Sequence, residues 1–474
     1  MGIVRMQEKK HILILGAGIS GMSAAYYLKQ MRPELQVTVL EQSERAGGWI
    51  ESMQNNGFFF ELGPRIFKTS KSVFLLNLIE HLGLLKEVMI STSSKQRYVL
   101  WKGSLRKVPS NLLSFCTSSI TRGLLKSFFQ ESFRQVNHDY DETVESFMQR
   151  RLGKDVLERL VDPLLQGIYA SNPSELSMRA CFPSLKMMEQ EHGSLTKAIC
   201  KRVFMKKKKS PFLLPRDSLF SVRGGVERMI DAIKKREGID IVYRQKVVQI
   251  DKDGKQYVVT TENKQWNADA VFIALPCSEA ARILESFSEK LSSSLQKISS
   301  ASVTSVLVGF KSYVLDKDGF GYLASSTEDG NILGVVFDSK SFAQNNQLPE
   351  ETRLTIMLKG CDYTDEMIYE LIEKSLRDHL KIVEKPDFIK IHRCPNSIPT
   401  FSLGHRDAIA YIQKDLRRHF PACYLLGNYV QGVSVSDCIK TSKEAIEHFL
   451  DVTYGKSLDK NLLLRHHQKQ APLF

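Results

Sequence analysis

The run HILILGAGISGMSAAYYLKQMRPELQVTVLE, residues 11–41, leaves this chain few choices of fold. An apolar stretch at 12–15 has strand length, Gly16, Gly18 and Gly21 form a GxGxxG turn, a helix rich in Ala and Tyr follows, and a second apolar strand at 37–40 ends at Glu41. That is a βαβ unit. Gly16 permits the tight turn, Gly18 lets backbone N–H groups approach a pyrophosphate at the helix N-terminus, and Gly21 lets the helix lie close on the strand. Ala17, Ile19 and Ser20 complete the turn. Glu41 stands twenty residues beyond Gly21, where a carboxylate accepts the hydrogen bonds of a ribose diol. Strand, helix and acid at these spacings together point to a dinucleotide cofactor.

The residues that follow decide which one. Gln42, Arg45, Gly47, Gly48 and Trp49 continue the chain as QSERAGGW. A cation and a second glycine pair suit a long cofactor lying extended over the domain with its phosphates contacted twice. This pattern resembles the fingerprint of FAD-containing oxidases of the amine-oxidase type. At 55–67, NNGFFFELGPRIF puts Gly57 at a turn, Phe58, Phe59 and Phe60 in a buried strand or plug, and Gly63, Pro64 and Arg65 where backbone meets something flat. With ELGPR after ERAGGW, the chain resembles the oxygen-dependent, FAD-containing protoporphyrinogen oxidases of the haem pathway.

The rest of the composition sets bounds. A chain of 474 residues, 42% hydrophobic and 25% charged, is an ordinary globular sequence with room for two or three domains. Its eight cysteines include no CxxC pair, which suggests neither a zinc site nor a disulfide framework and fits a reducing compartment. No apolar run reaches transmembrane length. The opening MGIVRMQEKK lacks an apolar signal core and reads as a short tail. Without a transit peptide the chain reads as a bacterial protein of the cytoplasm, held at the inner face of the cell membrane; a eukaryotic source would place it at the inner mitochondrial membrane. A net charge of +13 favours anionic partners.

Read in order, the pattern gives an α/β fold: a discontinuous Rossmann-type FAD-binding domain in three parts (1–88, 211–285 and 399–474), a helical domain (89–210) and a substrate domain with a mixed, mostly antiparallel sheet (286–398). The helical stretch carries a bulky apolar load, including Leu112, Leu113, Phe115, Leu124, Leu125, Phe128, Phe129 and Phe133, interleaved with Arg122 and Lys126. Such spacing makes a core stripe or a face lying in a membrane interface. Asp141 reads as a helix cap and Gly153 as a break. The basic run Lys201, Arg202 and Lys206 to Lys209 could sit on an anionic bilayer or in solvent; it has no aromatic interleaving, so nucleic acid is not an expected partner. Near the C-terminus, YLLGNYVQGVSVSDC takes a strand into Gly427, turns at Gly432, and starts a helix near Ser434, with Ser436 or Asp437 able to cap it. Val433, Ser434 and Val435 thereby lie at a positive helix end, suited to the pyrimidine side of a flavin.

No HExxH, GxSxG, Walker sequence or Cys/His ligand pairing occurs. No metal is expected and no side chain is assigned as catalytic; the chemistry falls to flavin N5. The resemblance extends through DETVESFMQRRLGKDVLERLVDPLLQGIYASNPSELSMRACFPSL and the GNYxxGVSVxDC wording, spanning residues 12–450. It implies that the helical domain binds membrane and lines the substrate channel, that Gly167 lies against a tetrapyrrole, that Phe320, Leu323 and Met357 line the pocket, that Arg97 pairs a propionate, and that Val247 meets the adenine. The implied reaction is the six-electron oxidation of protoporphyrinogen IX, with O2 as acceptor. Coproporphyrinogen III is the alternative substrate, and a flavin amine oxidase or a flavoprotein that only binds are the other readings. A second copy of the chain and ferrochelatase are the remaining expected partners. The chain departs from the family pattern at the basic loop around Lys206 and at Arg406, where some members carry a cofactor-packing Trp.

Overall fold

The computed structural model describes residues 10–93, 96–109, 112–204, 212, 214–215, 217–286 and 288–455. The Lys206 to Lys209 run lies outside them.

The apolar stretches with strand spacing form a five-stranded parallel sheet in the order Ile239–Val242, Gln36–Leu40, His11–Leu15, Ala270–Ile273, Cys423–Leu425. Its strands come from three separate parts of the sequence, so the cofactor domain is discontinuous. Every residue of Ala270–Ile273 is buried, as a central parallel strand covered on both faces requires. Helices Ile19–Met31 and Val435–Tyr454 cover one face, where Met22, Val37, Phe272 and Phe449 share a core. The other face carries the antiparallel strands Val247–Asp253, Gln256–Thr261 and Gln265–Ala268 and the helices Cys277–Leu284 and His405–His419.

A seven-stranded sheet makes the substrate domain, in the order Phe388–Pro399, Ser300–Phe310, Thr352–Lys359, Ile332–Phe337, Gly321–Ala324, Tyr98–Trp101, Ser104–Lys107. Only the pairing of Gly321–Ala324 with Tyr98–Trp101 is parallel. Helix Asp365–Lys374 packs behind it through Ile368 and Ile372. Residues 98–107 therefore correct the sequence reading, which placed them in the helical stretch. Lys102 and Gly103 both take positive φ (50° and 63°), the twist of a two-residue hairpin turn, and Leu100 is buried in the core behind the sheet.

The helical region runs from Leu112–Thr117 to Leu195–Phe204. Helix Val144–Leu152 is capped by Thr143, whose side chain accepts from Ser146 N, and not by Asp141, which instead receives the Ser177 hydroxyl at 2.7 Å. Gly153 does break the helix, at φ +88°. Inside this region Arg151 is completely buried against Glu131, and Glu131 also receives Leu195 N at 2.8 Å and Thr196 N at 2.9 Å, capping the last helix. A buried ion pair that also caps a neighbouring helix ties three helices to one geometry.

Candidate active site

The carboxyl ends of the parallel strands open into a long cavity, the position expected for a ligand of an open α/β sheet. Gly16, Gly18, Ile19 and Ser20 line it at the first turn. Gly16 has φ +97°, and a Cβ there would lie 2.7 Å from Ala274 O. Gly21 stands behind, where a Cβ would fall 1.9 Å from Gly16 O. Helix Ile19–Met31 begins without a side-chain cap and without an acid in its first turn, so its first N–H groups face the cavity as a pyrophosphate needs.

Glu41 also lines the cavity, 9% exposed, its carboxylate receiving Ala17 N at 2.8 Å and, from Ser43, N at 2.9 Å and Oγ at 2.8 Å. Ala17 thus acts through its N–H on Glu41. Gln42, Arg45, Gly48 and Trp49 line the next stretch. The two glycine loops touch: Gly47 N donates to Ala17 O at 2.8 Å, and a Cβ on Gly48 would lie 3.1 Å from Gly18 Cα. Arg45 braces the second loop, donating to Gly48 O at 2.5 Å and Ile50 O at 3.1 Å and pairing with Glu51 at 2.8 Å.

Pro64 lines the cavity, while Gly63 lies beneath Trp49, whose carbonyl oxygen would be 1.7 Å from an added Cβ. Arg65 turns away from the cavity onto the substrate sheet, bonding Thr355 Oγ1 and lying 3.7 Å from Asp338. Val247 lines one end, and Gly427, Val433 and Val435 the other. Ser434 sits just behind as the N-cap of Val435–Tyr454, in a capping box closed by Asp437; the cap is Ser434 and not Ser436. His405 supports this end, its Nε2 donating to Tyr429 O at 2.8 Å. Burial pulls the His405 pKa down to about 4, the Tyr429 bond opposing and Arg406 assisting, so the ring stays neutral and keeps that bond at neutral pH. Arg406 itself is exposed on helix His405–His419 and is not part of the cavity lining.

Sequence reasoning missed Ser43, Gln245, Ala274 to Cys277, and the sheet residues Ser300, Asn396, Ser397 and Pro399. The strand-end rule could have found Ala274 to Cys277; the others come from distant parts of the sequence. Burial pushes the Cys277 thiol up to about 12, so no thiolate nucleophile stands in the cavity. Among the described residues no group of His, Cys, Asp or Glu is placed to hold a metal.

The expected substrate residues form two groups on the adjoining sheet. Leu323 is in register with Gly334, and Gly334 with Met357, which sets Leu323 and Met357 on one face with a glycine between them. Helix Asp162–Tyr169 lies over that face, and a Cβ on Gly167 would be 2.6 Å from Leu323 Cδ2. The helix is fastened by Asp162, 3% exposed, whose Oδ2 receives Ser325 Oγ at 2.8 Å, Ser326 N at 2.7 Å and Ser326 Oγ at 2.9 Å. Arg97 and Phe320 form the rim, the Arg97 guanidinium 6.0 Å from the Phe320 ring. Arg97 is exposed there, and the protein packed round its stem lowers its pKa by desolvation.

The residues present fit FAD: a backbone-only cradle at two glycine loops, a buried carboxylate, and a helix start at each end of one cavity. A model of flavin containing amine oxidoreductases matches residues 19–446. Human protoporphyrinogen oxidase is 31% identical over 463 residues, covering 92% of this chain and 97% of that protein. The coproporphyrinogen III oxidase of Staphylococcus aureus is 28% identical over 468 residues, covering 93% and 99%. A solved structure from Exiguobacterium sp. 255-15, assigned as a protoporphyrinogen oxidase, has the same fold, with a TM-score of 0.81 and 24% identity over 94% of this chain and 99% of that one. The chain belongs to the flavin-containing amine oxidoreductase family, with porphyrinogen oxidases among its relatives, and carries FAD as its cofactor.

Proposed function

We propose that this protein oxidises protoporphyrinogen IX to protoporphyrin IX, with coproporphyrinogen III as the alternative substrate. The observation that carries this reading is the apolar wall of Gly167, Leu323 and Met357, with the exposed cation Arg97 on the same sheet, which also lines the cofactor cavity. With no side chain at Gly167 the helix lies directly on Leu323, and the two present an apolar surface suited to a tetrapyrrole face. An arginine at its edge suits a propionate. The flavin supplies a hydride acceptor at N5; the protein has to orient a reacting carbon and exclude water. Six electrons leave in three rounds, each returning two electrons to O2 as H2O2.

Anaerobic addition of protoporphyrinogen IX, coproporphyrinogen III or benzylamine tests it. Bleaching of the flavin by a porphyrinogen, with porphyrin fluorescence after air is admitted, is the expected result; bleaching by the amine alone would make the protein an amine oxidase, and bleaching by none would make it a binding protein. In the same assay Arg97→Ala is expected to raise KM about tenfold with kcat within about twofold, because a rim pair holds substrate and transition state alike. Unchanged KM would remove Arg97 from the site.

We also propose that the helical region rests on an anionic membrane from the cytoplasmic side. Phe129 and Phe133 are 72% and 76% exposed with ring centroids 5.6 Å apart, and Leu125, Met187 and Ile199 are exposed in the same region. Single apolar side chains on a surface need no explanation, but two phenylalanines exposed in contact with each other do. No helix among the described residues is long and apolar enough to cross a membrane, so the attachment would be peripheral. The protein is expected to float with anionic vesicles and Phe129→Ser/Phe133→Ser to remain in solution; equal flotation would sink the assignment of this face.

A further inference from the structure

The loop that carries Gly47 and Gly48 is held at its far end by a carboxylate from a distant part of the chain. It starts against Ala17 and Gly18 and runs into strand Ser52–Asn55. At Ser52 both polar groups are engaged: N–H donates to Glu227 Oε2 at 2.9 Å, and Oγ donates to Glu61 Oε2 at 2.7 Å. Glu61 in turn accepts Val226 N at 2.7 Å. The turn bearing Val226 and Glu227 comes this close because Gly225 has no side chain; with φ at +106°, a Cβ there would lie 2.2 Å from Ser52 Oγ.

Glu227 reaches the loop a second time, its Oε1 lying 3.7 Å from Arg45 Nη1. Arg45 is the brace inside the loop. Its Nη1 donates to Ala46 O at 3.2 Å and Ile50 O at 3.1 Å, and would lie 3.0 Å from a Cβ on Gly47, so the guanidinium fills the space beside that glycine. Glu51 is the other carboxylate on this guanidinium, at 2.8 Å. Glu227 also stands at the N-cap of helix Arg228–Lys234, where a side-chain oxygen commonly accepts an N–H of its own helix, yet it makes no such bond. Both of its oxygens are directed at residues 45–52 instead.

We infer that Glu227 is a cofactor-positioning residue: through Ser52 N–H and Arg45 it holds the second glycine loop where that loop lines the FAD cavity. Glu227 is not itself among the residues lining the cavity, so it acts on the cofactor through the loop. Both glycine loops belong to the first segment of the cofactor domain, whereas the latch on the second loop comes from the resumed segment, 175 positions beyond Ser52. This role concerns FAD alone and holds whichever substrate the enzyme takes.

Release of FAD from the loaded protein after dilution, followed as the rise of free-flavin fluorescence, tests this in Glu227→Ala, Glu227→Gln, Arg45→Met and Arg45→Met/Glu227→Gln. Glu227→Ala removes both contacts and is expected to release FAD about tenfold faster, the order of one hydrogen bond to a charged group. Glu227→Gln keeps an acceptor for Ser52 N and loses the charge facing Arg45; a half-exposed ion pair is worth little, so release rises about threefold. In the Arg45→Met background the same Gln substitution is expected to change nothing, because the partner it gives up is already gone. A carboxylate that merely stabilises the fold would lower Tm and leave release at the parent rate. Parent-rate release from Glu227→Ala or Glu227→Gln therefore overturns the assignment, as does a Glu227→Gln effect of equal size with and without Arg45. If Glu227→Ala does not fold, the two Gln variants decide the matter alone.

Discussion

Replacing Gly21 by valine is expected to yield a protein with less than about a tenth of the parent's flavin. A Cβ at this position would lie 1.9 Å from Gly16 O and 3.2 Å from Ile14 Cγ2. The first obstacle is a backbone atom in the turn itself, which has no rotamer to escape into. Helix Ile19–Met31 would have to lift from strand His11–Leu15, carrying its first N–H groups away from the cavity. Overpacking a core costs about 1–3 kcal/mol where side chains can yield, and a clash against fixed backbone belongs at or above the top of that range. Gly18→Ala is the informative contrast. Its Cβ would meet nothing nearer than Gly48 Cα at 4.0 Å, and its φ of −68° suits any residue. That variant is expected to keep the parent Tm and bind FAD more weakly, because Gly18 lines the cavity and the methyl would occupy space the phosphates use. Visible flavin absorbance on the purified proteins, with a melting curve for each, separates the two effects. Parent-level flavin in Gly21→Val would mean that this helix start does not hold the cofactor.

The same contrast explains which parts of the site could be read from sequence. Gly16, Gly21, Gly47, Gly48 and Gly63 were legible because each meets backbone at a distance or a φ that other residues do not tolerate, and a constraint of that kind appears directly as a residue type at fixed spacing. Glu41 was legible because it ends a strand at a fixed distance from the turn. Asn396, Ser397 and Pro399 were not, since nothing local marks the end of a sheet strand as a cofactor wall; the crossing of two domains decides it. Arg65 shows how a local reading can be incomplete. Its place after Gly63 and Pro64 suggests a group beside the cofactor, yet Thr355 and Asp338, far along the chain, draw it onto the other sheet. Strands Tyr98–Trp101 and Ser104–Lys107 were hidden between helical stretches and betrayed only by the Lys102–Gly103 turn. Gly334, which separates Leu323 from Met357, carried no motif at all.

Gly167→Val is expected to do the reverse of Gly21→Val: the flavin stays and turnover is lost. The neighbour that a Cβ at Gly167 would strike, at 2.6 Å, is Leu323 Cδ2, the far end of a mobile side chain. Leu323 can turn aside, so the stability cost is about 1 kcal/mol and the protein should fold and bind FAD normally. The direction in which Leu323 and the new methyl groups move is what matters. Asp162 fastens the helix to Ser325 and Ser326, so the helix cannot retreat, and the added volume pushes Leu323 across the sheet face it shares with Met357. A fall of at least about a hundredfold in kcat/KM, near 2.7 kcal/mol of lost transition-state stabilisation, is the expected result. Leu323→Ala removes the side chain that is displaced, so Gly167→Val/Leu323→Ala should recover a large part of the activity. Recovery would mean that the loss came from the displaced Leu323. If instead the single variant keeps parent activity, helix Asp162–Tyr169 is not a wall of the substrate site, and the placement of the tetrapyrrole against Gly167 and Leu323 has to be abandoned even though FAD binding is intact.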